Sequence, residues 1–327
     1  MNLLLVGNYG VGNLGDEALK EYFLNTFPEH NWEVISANPS SNNEYYRLPA
    51  GIRSFFRFKW IKTLTVLWKS DAVVFGGGSL FTDSESSLAC VIWGIHAFFA
   101  YIFGKKIIFA FQGIGPLKKH RSKLITRWVL RRSSFISVRD EVSFNLAKTM
   151  VKNKKIIQSF DPIYSAVVRE EYDLRAQKVF IAIPRNNSDA TFENHLTNLL
   201  KSGRWEEVNI LSLQPENNTE KRFCESLKKL INLPTKIIPV RSLDNLSKEV
   251  SKGSFILSQR YHGALIALAF GRELKVVQQR ENDKLSSIQK IIDEIPLSLR
   301  REELSRRVNE GEGNFKQFLK TQDSRLK

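Results

Sequence analysis

Short apolar runs alternate with amphipathic segments along most of this chain. Runs patterned like buried strands cover 2–7 (NLLLVG), 32–37 (WEVISA), 71–76 (DAVVFG), 106–112 (KIIFAFQ), 135–140 (FISVRD) and 155–160 (KIIQSF). Helices are predicted between them, starting near Asp16, Trp60, Ser87, Arg121 and Glu141. Near-continuous apolar strands separated by helices specify βαβ units and a parallel sheet covered on both faces. The pattern lapses over 161–177, a predicted linker. It restarts with strands at 178–184, 206–214, 235–239, 253–258 and 273–279. The expected fold class is therefore α/β, with two Rossmann-like, doubly wound parallel-sheet domains facing a cleft. The expected domains are 1–165 and 176–300, followed by a charged helical tail, 301–327.

Composition narrows the class. Hydrophobic content of 42% with 25% charged residues suits a soluble globular protein and excludes a disordered one. The apolar run 88–103 (LACVIWGIHAFFAYIF) is short for a bilayer span, so it reads as a buried helix with His96 packed inside it. Cys90 and Cys224 have no partner at disulfide or metal spacing and read as buried free thiols of a reducing cytoplasm. The opening MNLLLVGNYG meets glycines too early for a signal peptide.

Charge adds a demand for an anionic partner, because the net formal charge is +15. Residues 45–70 hold six Lys or Arg and no acid, with Phe55, Phe56, Phe58, Trp60 and Trp68 threaded between them. Residues 116–139 hold eight more and no acid. The first tract fits peripheral contact with an anionic membrane, or simply a solvated basic face. No nucleic-acid module is visible, and the aromatics lack the pattern of an RNA reader.

Candidate chemistry gathers where strands end. In GNYGVGNLGDEA (7–18), Gly10, Gly12 and Gly15 fit G-x-G-x-x-G, but the acid expected at the end of the second strand is missing, and Asp16 and Glu17 stand where a pyrophosphate would sit. Two further glycine loops, 75–86 and 111–117, follow the next strands. Three such turns on one sheet edge favour a binding site, with Gly10, Asn13, Gly15, Gly77, Gly78, Ser79, Gln112 and Gly113 as its loop residues. Asp16 and Asp83 are the carboxylates that could bind or deprotonate a hydroxyl, although each could instead cap its helix, as Glu17 is expected to. The second half places Arg185, Arg260, His262 and Lys284 at strand ends, a set suited to gripping a carboxylate or phosphate.

Those segments, taken in order, resemble the polysaccharide pyruvyl transferase family. The resemblance rests on GNYGVGNLGDEA (7–18), GGGSLFTD (76–83), QGIGP (112–116), SVRDEVS (137–143), PRN (184–186), QRYHGALIALAFG (259–271) and ENDKL (281–285). Thr82, Tyr261 and the ENDK segment depart from the usual pattern. The resemblance implies an architecture similar to a two-domain glycosyltransferase. It also implies phosphoenolpyruvate as co-substrate, a saccharide acceptor (free or lipid-linked), a cyclic pyruvate ketal as product, and no metal or other cofactor. On this reading Arg185, Arg260 and Lys284 hold the donor, His262 protonates its methylene, and Asp16 or Asp83 takes protons from the attacking hydroxyls. The expected location is the cytoplasm, at the inner face of the membrane if the acceptor is lipid-linked. A nucleotide-sugar glycosyltransferase of the same architecture stands as the alternative. A basic membrane-surface or nucleic-acid binding protein is the reading from another class.

Overall fold

The computed structural model describes residues 1–324 except 57, 85, 87, 170–177, 187–189, 202 and 280–283, and the side chains of 52, 53 and 169 are also left aside. The chain divides into two compact units, Met1–Ile163 with Arg306–Lys327, and Tyr164–Ser305.

The first unit contains β1 (Asn2–Tyr9), β2 (Asn31–Ser36), β3 (Glu44–Tyr46), β4 (Ala72–Gly76), β5 (Lys106–Gln112), β6 (Ser133–Val138) and β7 (Ile157–Gln158). They pair in the order β3-β2-β1-β4-β5-β6-β7, parallel throughout. Its helices are α1 (Leu14–Thr26), α2 (Ile52–Phe55), α3 (Ile61–Lys69), α4 (Ala89–Ile102), α5 (His120–Arg132), α6 (Glu141–Met150) and the start of α7 (Ile163–Arg169). The second unit holds β8 (Val179–Ile183), β9 (Glu207–Ser212), β10 (Thr235–Pro239), β11 (Phe255–Ser258) and β12 (Glu273–Val276), ordered β10-β9-β8-β11-β12 and again parallel. Around it lie α8 (Ala190–Leu200), α9 (Asn218–Leu230), α10 (Leu243–Lys252), α11 (Tyr261–Ala269) and α12 (Lys284–Glu294). The last helix, α13 (Leu297–Asp323), has residues in both units. Two Rossmann-like parallel sheets are thus the fold, as the alternation predicts.

The burial patterns explain why that alternation was readable. Every residue of β4 and of β8 is buried, so inner strands appear as unbroken apolar runs. The edge strand β12 alternates exposed and buried positions, because only one of its faces is covered. The short edge strand β3 was not expected, since its three residues are all half-buried and carry no apolar run. Likewise α7 occupies part of the predicted linker, whose remainder, 170–177, lies outside the described residues.

The first sheet is covered on two faces. On one, Leu4, Val6, Val73, Phe75 and Phe109 pack with Cys90, Trp93 and Ala97 of α4. On the other, Phe315 of α13 is fully buried against Phe23, Phe27 and Phe111, with ring centroids 5.0–6.1 Å away. This packing draws the end of the expected charged tail into the first unit. Phe111 reaches that face because its φ of 55° breaks the alternation of β5, a conformation uncommon outside glycine. Cys90 and Cys224 are buried free thiols, and burial pushes the Cys224 thiol up to about 12.

His96 is fully buried in α4. The Leu48 amide donates to its Nε2 at 3.1 Å, which fixes that nitrogen as an acceptor, so Nδ1 donates to the Ile92 carbonyl at 2.8 Å. Burial lowers its pKa to about 4; the Ile92 carbonyl opposes this shift and Arg47 adds to it. The unfolded chain therefore binds a proton as pH drops through about 6.5, whereas the native chain does so only near 4. Stability should be at its plateau above pH 6.5 and fall by up to about 3 kcal/mol as pH descends to 4. Urea unfolding at stepped pH should lose most of that slope in His96→Gln.

Candidate functional site

Each sheet reverses its strand order once, between β1 and β4 in the first unit and between β8 and β11 in the second. At such a point the flanking loops part toward opposite faces and leave a crevice at the carboxyl ends of the strands, where open α/β sheets bind ligands. The loops after β1 and β4 carry Asp16 and Gly77–Ser79, and those after β8 and β11 carry Arg185, Arg260 and His262; Gln112 and Gly113 lie instead at the end of β5, and Lys284 opens α12 beyond β12.

In the first unit, Asn13 is the N-cap of α1 and accepts the Gly15 amide at 3.1 Å, so its side chain is a structural one. Asp16 and Glu17 occupy the first turn of α1, where the helix dipole favours carboxylates. Their partners differ. Glu17 accepts the Gly10 amide at 2.6 Å and pairs with Lys20 at 3.0 Å, closing the loop after β1. Asp16 accepts from Asn8 Nδ2 at 3.1 Å, and Asn8 Oδ1 accepts from Arg47 Nη2 at 3.1 Å. Arg47 also donates to the Tyr9 carbonyl at 3.0 Å. Burial lowers the Arg47 pKa, with Asp16 and Glu17 opposing the shift.

The loops after β4 and β5 are fastened to each other. Gly77 and Gly78 have φ of 70° and 71°, which suits glycine alone without strain. A Cβ on Gly78 would stand 3.1 Å from Asp16 Oδ1, so the loop passes directly against that carboxylate. The Gly113 amide donates to the Gly78 carbonyl at 2.7 Å, and the Gln112 side-chain amide donates to the Gly77 carbonyl. Gln112 is fully buried, so it works as a clamp between loops. Ser79 Oγ accepts from Arg139 Nη2 at 2.9 Å, while Arg139 Nη1 donates to Asp161 Oδ2 at 2.8 Å. Arg139 and Asp161 are 2% and 0% exposed. The sequence marked SVRDEVS but assigned Arg139 no task, and Asp161 fell in the expected linker. A signal was available, because Arg139 follows a buried strand in the same way as Arg185 and Arg260.

Of the two tasks open to Asp83, a base or a capping carboxylate, the structure displays an anchoring one. Its carboxylate accepts the Lys118 amide at 2.8 and 3.0 Å and the Lys119 amide at 2.7 Å. Burial raises its pKa, but these two amides, with Ser122, outweigh burial and hold it below the ordinary carboxylate range. Such a carboxylate anchors the entrance to α5 and is a weak base.

In the second unit, Arg185 and Asn186 follow β8, and Gln259, Arg260 and His262 follow the adjacent β11. Gln259 is buried; its amide donates to the Ile183 carbonyl at 2.9 Å and its Oε1 accepts the Arg185 amide at 3.4 Å. Arg260 Nε donates to the Pro184 carbonyl at 3.2 Å, and Nη2 donates to Glu220, a fully buried residue of α9. Glu220 also accepts from Ser212 Oγ at 2.9 Å and the Gln214 amide at 2.8 Å. Burial lowers the Arg260 pKa, Glu220 opposes the shift, and Arg185 lowers it further, leaving it below the ordinary arginine value. Two nitrogens of the expected donor grip are thus engaged within the unit. Glu220 was invisible in the sequence, since nothing distinguishes it from the other charges of α9.

Arg260 is also the N-cap of α11, and its side chain makes no capping hydrogen bond. Ser, Thr, Asp and Asn are the usual residues there, and cations at a helix N-terminus oppose its dipole. Here Arg260, paired with buried Glu220, is followed by His262 in the first turn of a helix whose other residues are all buried. Lys284 opens α12 with an exposed side chain, and 281–283 of ENDKL lie outside the described residues.

Comparisons with known proteins bear on both units. No curated protein shows significant sequence similarity to this chain. Among solved structures, HepE of Anabaena, determined with UDP and glucose, is 12% identical and gives a TM-score of 0.60, with 98% of this chain and 100% of that one covered. The UDP-GlcNAc 2-epimerase of Methanocaldococcus jannaschii is 14% identical at TM-score 0.58, with 94% and 92% covered. Acinetobacter baumannii MurG is 11% identical at TM-score 0.51, with 93% and 89% covered. These likenesses establish that the chain shares the two-sheet α/β fold of those proteins. The polysaccharide pyruvyl transferase profile matches residues 13–274, which takes in the Asp16 loop, both glycine turns, the Arg139 segment and the Arg260–His262 turn. The chain belongs to the polysaccharide pyruvyl transferase family.

Proposed function

We propose that this chain transfers the enolpyruvyl group of phosphoenolpyruvate to two hydroxyls of one sugar in a glycan, forming a cyclic ketal and releasing phosphate. The carrying observation is the placement of Arg260 and His262 at the start of α11, beside Arg185 at the switch point of the second sheet. A donor bearing a carboxylate and a phosphate supplies the anions this arrangement calls for.

The steps follow from the donor. His262 gives a proton to the methylene carbon, and C2 becomes electrophilic. A bound phosphate beside the ring favours its protonated form. The first sugar hydroxyl adds to C2, the second displaces phosphate from it, and two hydroxyl protons are released. One restores His262, and the other leaves with phosphate. Asp16, positioned by Asn8, is the proposed base on the first unit. Arg185 and Lys284 are proposed to hold the donor, with Arg260 fixing the turn and adding charge.

Inorganic phosphate release from phosphoenolpyruvate, measured with a panel of free and lipid-linked saccharides, tests the reading. Acceptor-dependent release, with an acceptor product heavier by pyruvate less water, is the expected result. The HepE structure with UDP motivates a second reading, transfer from a nucleotide sugar. Release of a nucleoside diphosphate from a nucleotide sugar, with none of phosphate from phosphoenolpyruvate, would establish that reading instead.

A further inference from the structure

The outer side of α4 and α5 has no part in either switch point, yet it combines exposed apolar residues with arginines. Between Glu85 and Asp140 the chain carries ten Lys or Arg and no acid. Within that stretch α4 and α5 pack side by side over the sheet. An open groove of about 1130 Å³ runs between them, with Val91, Ile95, Phe98, Leu124, Ile125 and Trp128 along its walls. Its rims are apolar and exposed: Phe98 is 47% accessible, Tyr101 52% and Leu124 52%. Arg127, Arg131 and Arg132 line the same groove. The Arg132 guanidinium lies 4.3 Å from the Trp128 ring centroid and 4.7 Å from that of Tyr101. The neighbouring α3 adds exposed Trp68, with Lys62 and Lys69, and is also free of acids.

We propose that this α4–α5 face docks on an anionic phospholipid surface, the apolar groove receiving acyl chains while the arginines meet lipid phosphates. The chemistry selects that occupant. Contiguous exposed apolar surface marks an interaction site, and aromatic rings flanked by Arg at its edge match the headgroup boundary of a bilayer. A second copy of this chain would bring the same acid-free arginines against their like. Nucleic acid would use the arginines but not a groove walled by Val91, Ile95, Leu124 and Ile125. Among the described residues no helix is long and apolar enough to cross a membrane, so contact through this face is peripheral. The basic tract 45–70, read from the sequence as either a membrane contact or a solvated basic face, supplies the margin of this surface through α3.

The test is co-sedimentation of the full chain with vesicles of phosphatidylcholine, alone and with phosphatidylglycerol added. Binding should require phosphatidylglycerol and weaken as salt rises. Phe98→Ser with Leu124→Ser, both exposed and so compatible with folding, should reduce binding at least about tenfold at physiological salt. Arg127→Glu with Arg131→Glu should reduce it by more than about tenfold. The control is Lys228→Glu with Lys229→Glu, the same charge change on exposed residues of the second unit, and it should bind nearly as well as the parent. Equal loss in the control would assign binding to net charge and overturn the proposal. Sedimentation insensitive to the Phe98 and Leu124 changes would overturn it too. So would a dimer abolished by the same substitutions without vesicle binding, or an RNA affinity that alone depends on the three arginines.

Discussion

His262→Gln should lower turnover with phosphoenolpyruvate by about 10²–10⁴-fold, with its urea unfolding midpoint close to that of the parent. Glutamine keeps much of the polar reach of histidine but cannot deliver a proton to a methylene carbon. His262 is half-buried in the first turn of α11, with its Nε2 atom buried, and glutamine replaces the ring with a side chain of similar reach. Single-turnover kinetics separate the proton donor from a binding group. Loss of the chemical step with donor affinity retained supports general-acid catalysis. A raised half-saturation concentration at unchanged turnover would make His262 a binding residue, and undiminished activity would remove it from the site.

Arg139→Ala should destabilise the chain by about 3–5 kcal/mol, the largest effect on stability expected of any residue described above. The alanine leaves Asp161, fully buried, without its guanidinium partner at 2.8 Å, and it strips Ser79 of its 2.9 Å donor. An uncompensated buried carboxylate accounts for most of that cost, so replacing both members by apolar residues should recover much of it. In urea unfolding, Arg139→Met with Asp161→Leu should therefore be more stable than Arg139→Ala alone. The double variant should still be impaired in transfer, because Ser79 and the loop after β4 lose their tether. Full activity in a folded double variant would reduce the pair to a structural role.

Much of the site was legible because of where chemistry sits in parallel sheets. Inner strands are buried on both faces, so their ends show as abrupt changes from apolar runs to glycine, arginine or histidine. That change located Gly77, Gly78, Arg185, Arg260 and His262 without any knowledge of strand order. The same logic could not separate Asp16 from Asp83, since both follow glycine loops beside a helix start. Only the fold brings the Lys118 and Lys119 amides to Asp83 and Asn8 to Asp16. Glu220 shows the limit more sharply. It lies on α9, forty positions from Arg260, and its pairing depends on β9 lying beside β8 and β8 beside β11.

What the sequence determined by itself is what short-range patterns encode: the alternation of strand and helix, two Rossmann-like halves, the loops at strand ends, the acid-free tracts and the ordered family motifs. Each is a matter of period, spacing or composition along the chain. The tertiary structure decided which loops share a switch point, which amides hold Asp83, and that the expected linker residue Asp161 anchors Arg139. It also drew Phe315 from the expected tail into the first unit. These follow from contacts between segments far apart in the chain. A buried charge or ring takes whichever partner the packed sheet and helices bring within reach, and no local pattern records that partner in advance.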